Sequence, residues 1–221
     1  MALLLSVLEQ GMISTLTQGF IYALLSYGIY ITYKILDFPD LTVDGSFPFG
    51  AAITVRLING FGVPAILTLP IAFLGGALVG ICTGLIHVKL KVRDLLSGII
   101  MMTGLYTINL WVAGSGYVAI FDKENIFNNS FVNSITPGFL VNFKNVIIIF
   151  LITMVAKYLL DWYMSTKSGF LLRAVGDNDT IVTSLGVDKG LVKIVGLSIA
   201  NGLVSLSGCI YAQQQRSFEI S

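Results

Sequence analysis

The stretch TKSGFLLRAVGDNDTIVTSLGVDKGLVK, residues 166–193, decides how the rest of the chain is interpreted. It is polar and charged, although the segments that precede and follow it are long and apolar. Because apolar segments of that length bury themselves in lipid, the polar stretch between them is expected to lie at a membrane surface. In that position it can pass force between a soluble partner and the buried helices.

The composition indicates an integral membrane protein. Apolar residues make up 55% of the chain and charged residues 11%, whereas roughly 25% of the residues in a soluble protein are charged. Helical runs of about 20 apolar residues cross a hydrocarbon core of roughly 30 Å. Long runs without charge occur at 10–33, 57–86, 95–121 and 194–215. A shorter run at 145–156 becomes a span if Lys157 and Asp161 pair on one helix face near its end.

Basic residues orient these segments. They form two groups, Lys89, Lys91 and Arg93 in one loop, and Lys167, Arg173, Lys189 and Lys193 in the quoted stretch. The positive-inside rule places both groups in the cytoplasm. Two spans then separate the groups, so that about 114–144 form an external loop and about 165–193 a cytoplasmic segment. With a short segment at 49–59, the sequence predicts an all-α, polytopic transmembrane bundle of about six membrane segments, a single domain over 1–221 in the plasma membrane.

Small residues at fixed spacing predict close helix packing. Gly76, Gly80 and Gly84 recur every four residues and form a flat strip that another helix can approach closely. The last apolar run carries a polar stripe at a spacing of three to four residues, Ser198, Asn201 and Ser205. This stripe either joins helices through hydrogen bonds or lines a path through the bundle, and the pattern favours neither.

The sequence ILDFPDLTVDGSFPFG, residues 35–50, interrupts the apolar pattern. Only eleven residues separate Asp44 from Arg56, too few for a full helical span. We therefore predict a discontinuous helix, an arrangement that often builds substrate sites, with Asp40 and Asp44 on one face if that part is helical. The alternative is a cytoplasmic loop that caps the next helix and keeps its acids in water. The candidate pathway residues here are Asp40, Thr42, Asp44 and Ser46.

The run that begins at residue 95 adds further polar candidates. Thr103 and Tyr106 lie on one side of a helix at this spacing, and Asn109 follows one turn later. They either line the same pathway or form hydrogen bonds between helices.

Within the quoted stretch, the residues predict a short helix at 180–185. Gly176 frees the chain to turn, Asp177 is a favourable N-cap, and Asp179 then lies in the first turn, where the helix dipole favours an acid. Gly186 is well suited to end the helix. Arg173 precedes it and can contact a partner's carboxylate or carbonyl groups. From these residues alone, an ordinary amphipathic connector and a docking helix both remain open.

Several classes of site are not expected. The single histidine, His87, excludes a multi-histidine metal site within the chain, and Cys82 and Cys209 fall inside predicted spans without metal-type spacing. No GxxxxGK[ST] loop occurs, so the chain is not expected to hydrolyse ATP. No basic run suggests nucleic-acid binding. We predict neither catalytic residues nor a cofactor nor a metal.

Two motifs resemble a known family. The run GFLLRAVGDNDTIVTSLGVD, residues 169–188, is similar to the cytoplasmic coupling segment of ABC-importer permeases for branched-chain amino acids, ribose and related solutes. That family typically shows Gly, then Arg-Ala-hydrophobic-Gly, a short helix and a closing Leu-Gly-hydrophobic. Separately, DFPDLTVDGSFPFGAA at 37–52 and MMTGLYTINLWVAG at 101–114 look like a subgroup often linked to aromatic amino acids.

The resemblance implies a transport mechanism. Two permease subunits, most simply two copies of this chain, would form a pathway in the lipid. Two cytoplasmic ATPases would bind ATP and the coupling helices, and an external binding protein would deliver the solute. The transported solute would be small, an amino acid with aromatic ones slightly favoured. The residues expected to couple to the ATPase are Gly169, Arg173, Ala174, Gly176, Asp177, Asn178, Asp179, Leu185 and Gly186.

Two further expectations concern the length of the chain and an alternative mechanism. Members of the family are usually longer, so we expect that 1–221 lacks C-terminal helices usual in the family. The alternative function is an ion-coupled secondary transporter or channel, in which Asp40 or Asp44 carries the ion coupling.

Overall fold

The computed structural model describes residues 2–120, 123–128, 143–184 and 186–219, without the side chains of 2–9 and 179–181. The helices are α1 Ala2–Tyr30, α2 Val43–Phe61, α3 Ala65–Lys89, α4 Asp94–Ala113, α5 Lys144–Met164, α6 Lys167–Asp177, α7 Asp179–Ser184 and α8 Lys189–Gln215. A π-helical turn, Ile31–Ile35, extends α1. Two short strands, β1 Tyr117–Ala119 and β2 Ser217–Glu219, pair antiparallel.

The prediction of an all-α membrane bundle is confirmed, and the small sheet is an addition that the sequence did not reveal. Four helices in the described ranges, α3, α4, α5 and α8, are long and apolar enough to cross a membrane. The other two predicted segments, 10–33 and 49–59, lie in α1 with its π-helical extension and in α2.

Helix α8 lies at the centre of the bundle. In its most apolar window 67% of the residues are buried, against 22% in α4 and in α5. It packs against α1, α2 and α3. The glycine strip of α3 faces it, because a Cβ at Gly76 or Gly80 would overlap the backbone of α8 and one at Gly84 would lie 2.8 Å from Ile194 Cγ1. The two backbones are thus in direct contact at Gly76 and Gly80, and the close approach continues to Gly84.

Contacts between elements define two ends of the bundle. At one end, here called the basic end, Gly190 packs against Val88 and Gly176 against the carbonyl of Ile35. The end of α1, the loop after α3, α6 and the start of α8 therefore lie together. Both basic groups thus lie at one end of the bundle, and their location in the cytoplasm stays a prediction. At the opposite end, Asn59 Nδ2 donates a hydrogen bond to the Ala119 carbonyl at 3.0 Å, beside the β1–β2 sheet.

The short helix predicted at 180–185 is present as α7, Asp179–Ser184, but the chain before it differs from the prediction. Helix α7 begins at Asp179, Asp177 is the last residue of α6, and Gly176 lies inside α6. The prediction of a turn at Gly176 and of an N-cap at Asp177 was therefore wrong.

The physical reason is burial. The apolar face of α6 buries Leu172 and Val175 in the bundle, so the helix continues through Gly176. The chain leaves the helix only at Asn178, whose φ of −161° is extended. Gly186 has a φ of +74°, the left-handed conformation expected of a glycine after a helix end, and Leu185 lies outside the described residues.

Candidate functional site

Residues 36–42 break the helical path between α1 and α2. Asp37 has a φ of +50°, and Pro39 disfavours helical geometry at Phe38 before it. Asp40 Oδ1 accepts a hydrogen bond from the Thr42 backbone amide at 2.8 Å, which closes a local turn before α2 begins. The structure thus has the discontinuity that the sequence predicts, as an irregular stretch without regular helix.

A buried polar network holds this break against α8. The second carboxylate oxygen of Asp40 accepts a hydrogen bond from Asn201 Nδ2 at 2.8 Å, and Asn201 Oδ1 accepts one from Ser46 Oγ at 2.6 Å. Asp40 is 1% exposed, and Asn201 and Ser46 are fully buried. Within the described residues no cation pairs with Asp40, so hydrogen bonds alone compensate its burial. The network fixes the start of α2 relative to the middle of α8.

This arrangement separates three of the pathway candidates from the others. Asp40 lies outside any helix, so it does not share a helical face with Asp44. Asp40, Thr42 and Ser46 are buried in helix contacts, where Thr42 Oγ1 lies 3.1 Å from Thr83 Oγ1, and they are not part of the described lining of the cavity that holds the other candidates. The alternative of a solvated loop is wrong for Asp40 as well, since its carboxylate is inside the bundle. The polar stripe of α8 joins helices at Asn201 and Ser205, whose Oγ donates to the Ala72 carbonyl at 2.7 Å.

The remaining pathway candidates meet in one cavity of about 990 Å³. It lies among α1, α2, α4, the end of α8 and β2. Asp44, Thr103, Tyr106 and Asn109 all line it. Asp44 and Tyr106 are exposed in its wall, whereas Asn109 is fully buried and donates from Nδ2 to the Gly45 carbonyl at 3.1 Å. The first turn of α2 and the middle of α4 are therefore joined at the cavity.

Aromatic residues that the sequence analysis did not select complete the cavity. Tyr211 lies between Tyr22 of α1, at a ring-centroid distance of 6.3 Å, and Phe47 of α2, at 5.5 Å. Gln215 and Glu219 extend the wall to the end of α8 and to β2. Tyr211 and Gln215 are four residues apart on one helix face, which was an available but weak signal.

The coupling candidates divide between two faces of α6. Gly169 packs against the backbone at Tyr163 and Met164, and Gly176 against that of Ile35, so both face the bundle. Ala174 is half-buried, whereas Arg173 and Asp177 are exposed at the basic end. The described part of Asp179 is its backbone, in the first turn of α7.

Titratable side chains do not suggest a metal centre. Within the described ranges, no three His, Cys, Asp or Glu side chains are close enough together to hold a metal ion. The lone histidine, His87, instead lies 2.9 Å from the Val92 carbonyl and 3.6 Å from Asp94.

The comparison with protein families decides the class. The family described as branched-chain amino acid transport system, permease component, matches residues 11–221. The chain belongs to this family of permeases. The resemblance seen in its motifs is confirmed, and this permease is a multi-pass membrane protein, consistent with the bacterial cell membrane. The description of the family names it as the permease component of a transport system.

Two individual relatives have a sequence similar to that of this chain. The permease is 41% identical over 204 residues to a tyrosine transport system permease protein of Clostridioides difficile, covering 92% of this chain. It is 26% identical over 191 residues to a probable branched-chain amino acid transport permease protein of Methanocaldococcus jannaschii, covering 84% of this chain. The chain spans 64% of the length of the first relative and 60% of the second. No solved structure matches it.

Proposed function

We propose that this permease is the membrane subunit of an ATP-driven importer that carries an amino acid inward, with aromatic amino acids favoured. The observation that carries the proposal is its 41% identity to a tyrosine transport system permease along 92% of its own length. The aromatic wall of the cavity, at Tyr22, Phe47 and Tyr211, supports the same class of solute.

A partner ATPase would dock on the exposed face of α6 and on α7. Arg173 is exposed there, and its planar guanidinium suits carboxylate and carbonyl acceptors of a partner. The opposite face of α6 contacts the bundle through Leu172, which packs against Gly196 of α8, and through Gly176. A helix held in this way cannot shift without moving what it touches. We therefore assign ATP binding and hydrolysis to the partner and the transfer of movement to α6.

A series of contacts through the break at residues 36–42 connects α6 to the cavity. Gly176 touches Ile35 at the start of the break, and Asp40 ties the end of the break to Asn201. Val43 then begins α2, whose Gly45 carbonyl receives the hydrogen bond from Asn109 in the cavity wall. A partner that binds two positions of α6 with different affinity would thereby select two shapes of the cavity.

Other subunits belong to the same proposal. A second copy of this chain would complete the pathway, and an external binding protein would deliver the amino acid at the opposite end, near β1 and β2. Membrane lipid would cover exposed apolar residues such as Trp111, Leu151 and Trp162.

The test is uptake of labelled tyrosine into vesicles that contain the complex as isolated from its own cells. We expect that uptake requires ATP on the side of the vesicle membrane that corresponds to the cytoplasm. Uptake should stop when the ATPase is inactivated. Uptake that survives loss of the ATPase but collapses with the proton gradient would instead identify the ion-coupled transporter.

Arg173→Glu is expected to lower tyrosine uptake at least about tenfold, because a reversed charge at a desolvated contact costs several kcal/mol. ATP hydrolysis by the partner should then become independent of transport. The amount of permease in the membrane should not change, since Arg173 is exposed. Lys89→Glu, the same charge reversal at an exposed residue of the basic end outside α6, is the matched control and should transport normally. Equal uptake by both variants would contradict the docking role.

A further inference from the structure

We propose that the cavity recognises its ligand by an ammonium group, held between Asp44 and Asn109, with an aromatic ring against Tyr211 and its neighbours. The choice of an aromatic amino acid as ligand rests on the proposed function. The mode of recognition goes beyond the proposed function, because it specifies which groups of the solute the cavity binds and which it does not.

Charge in the cavity favours a cation. The charged residues among the described cavity lining are Asp44 and Glu219, and both are acidic. Asp44 lies in the first turn of α2 with its side chain exposed in the wall. A cleft lined by one sign of charge between low-dielectric walls concentrates ligands of the opposite sign.

Asn109 provides a second hydrogen-bond acceptor, its Oδ1 atom. Its Nδ2 is used by the Gly45 carbonyl at 3.1 Å, which holds the amide beside the turn that carries Asp44. Its Oδ1 is buried and has no hydrogen-bond partner among the residues that the structure describes. Such an unsatisfied buried acceptor is rare in native structures. An ammonium group has three donors, so it can satisfy the Asp44 carboxylate and the Asn109 oxygen at the same time.

The aromatic wall provides the place for a ring. Tyr211 contacts Tyr22 and Phe47 at centroid distances of 6.3 and 5.5 Å. Aromatic faces attract both other rings and cations. The ethanolamine headgroup of a phospholipid has the same ammonium group but no ring, so the two sources of this chemistry can be told apart.

The described lining of the cavity contains neither Lys nor Arg, so it offers no cationic partner to a carboxylate. The ammonium and the ring are therefore the parts of the ligand that are read. Tyramine, which lacks the carboxylate of tyrosine, should bind at least as well as tyrosine. The analogue 3-(4-hydroxyphenyl)propionate, which lacks the amine, should not bind.

The experiment is displacement of radiolabelled L-tyrosine from membranes that contain the whole complex. We expect displacement by tyramine, and none by the propionate or by ethanolamine at the same concentration. Asp44→Asn should weaken binding of tyrosine and tyramine at least about tenfold, the loss expected for one charge-assisted contact, and Asn109→Ala should weaken both less. Asp37→Asn is the matched control, an exposed aspartate of the same break that does not line the cavity, and should bind normally.

Each outcome bears on one of the two proposals. Displacement by the propionate as strong as that by tyramine, or normal binding by Asp44→Asn, would overturn the ammonium site, and displacement by ethanolamine would overturn the role of the aromatic ring. ATP-driven tyrosine uptake by a complex from which tyramine does not displace tyrosine would also overturn the ammonium site. The proposed function would then remain intact. Binding that depends on Asp44 and is displaced by tyramine, in a complex without ATP-driven uptake, would support the site and refute the importer.

Discussion

Asn201→Asp is expected to abolish transport and to lower the melting temperature of the protein in detergent. The Asn201 amide donates to Asp40 at 2.8 Å inside the bundle, so the substitution would place two carboxylates against each other. Like charges at that distance cannot both remain ionised without strong repulsion. A buried charge left without compensation costs roughly 3–5 kcal/mol, which corresponds to a fall of roughly 6–20 °C for a chain of this size.

The exchanged pair, Asp40→Asn with Asn201→Asp, separates this contact from a general effect of either residue. In the exchange the new asparagine donates to the new aspartate, whose other oxygen still accepts from Ser46 Oγ. We expect most of the melting temperature and part of the uptake to return. Recovery should be incomplete because Asn201 also donates to the Leu197 carbonyl at 3.1 Å. An exchanged pair as unstable as Asn201→Asp alone would show that this hydrogen bond is not what holds the break.

The two acidic candidates show where sequence reasoning stops. Asp40 and Asp44 are both aspartates beside a predicted break, and spacing gives no reason to separate them. Their positions diverge because Asp40 closes a turn before the helix, while Asp44 lies in the first turn of α2. Which carboxylate enters the network depends on the backbone path through Asp37 and Pro39, which no periodicity encodes.

Other features were accessible from the sequence for simple reasons. Long charge-free runs locate α3, α4 and α8 because lipid allows few charges in a span. The strip at Gly76, Gly80 and Gly84 lies where α3 meets α8, since only glycine permits that backbone approach.

Features set by distant contacts were not accessible. The β1–β2 pair joins Tyr117 to Glu219, two three-residue strands about 100 residues apart, and so short a strand has no readable alternation. The cavity required that pairing as well as the position of Tyr211. At Gly176 and Asp177 the local signals for a turn and a cap were genuine, yet burial of Leu172 outweighed them.

Gly176→Ala is expected to uncouple ATP hydrolysis from transport. Gly176 lies within α6 against the carbonyl oxygen of Ile35, and an alanine Cβ would overlap that oxygen. Since neither backbone can move without shifting its helix, α6 must withdraw from the break. Overpacking of this kind costs roughly 1–3 kcal/mol. The ratio of molecules in which α6 packs against Ile35 to those in which it does not then falls on the order of tenfold to a hundredfold.

The measurement compares tyrosine uptake with ATP hydrolysis in the same vesicles, together with hydrogen exchange of the amides in α6 and the break. Uptake should fall, hydrolysis should continue without solute, and both segments should exchange faster. Gly104→Ala is the matched control, because a Cβ there meets nothing within 4 Å in the middle of α4. As an alanine in an open helical position it should be neutral or stabilising by about 1 kcal/mol. Normal coupling in Gly176→Ala would mean that force reaches the cavity by a route other than the contact with Ile35.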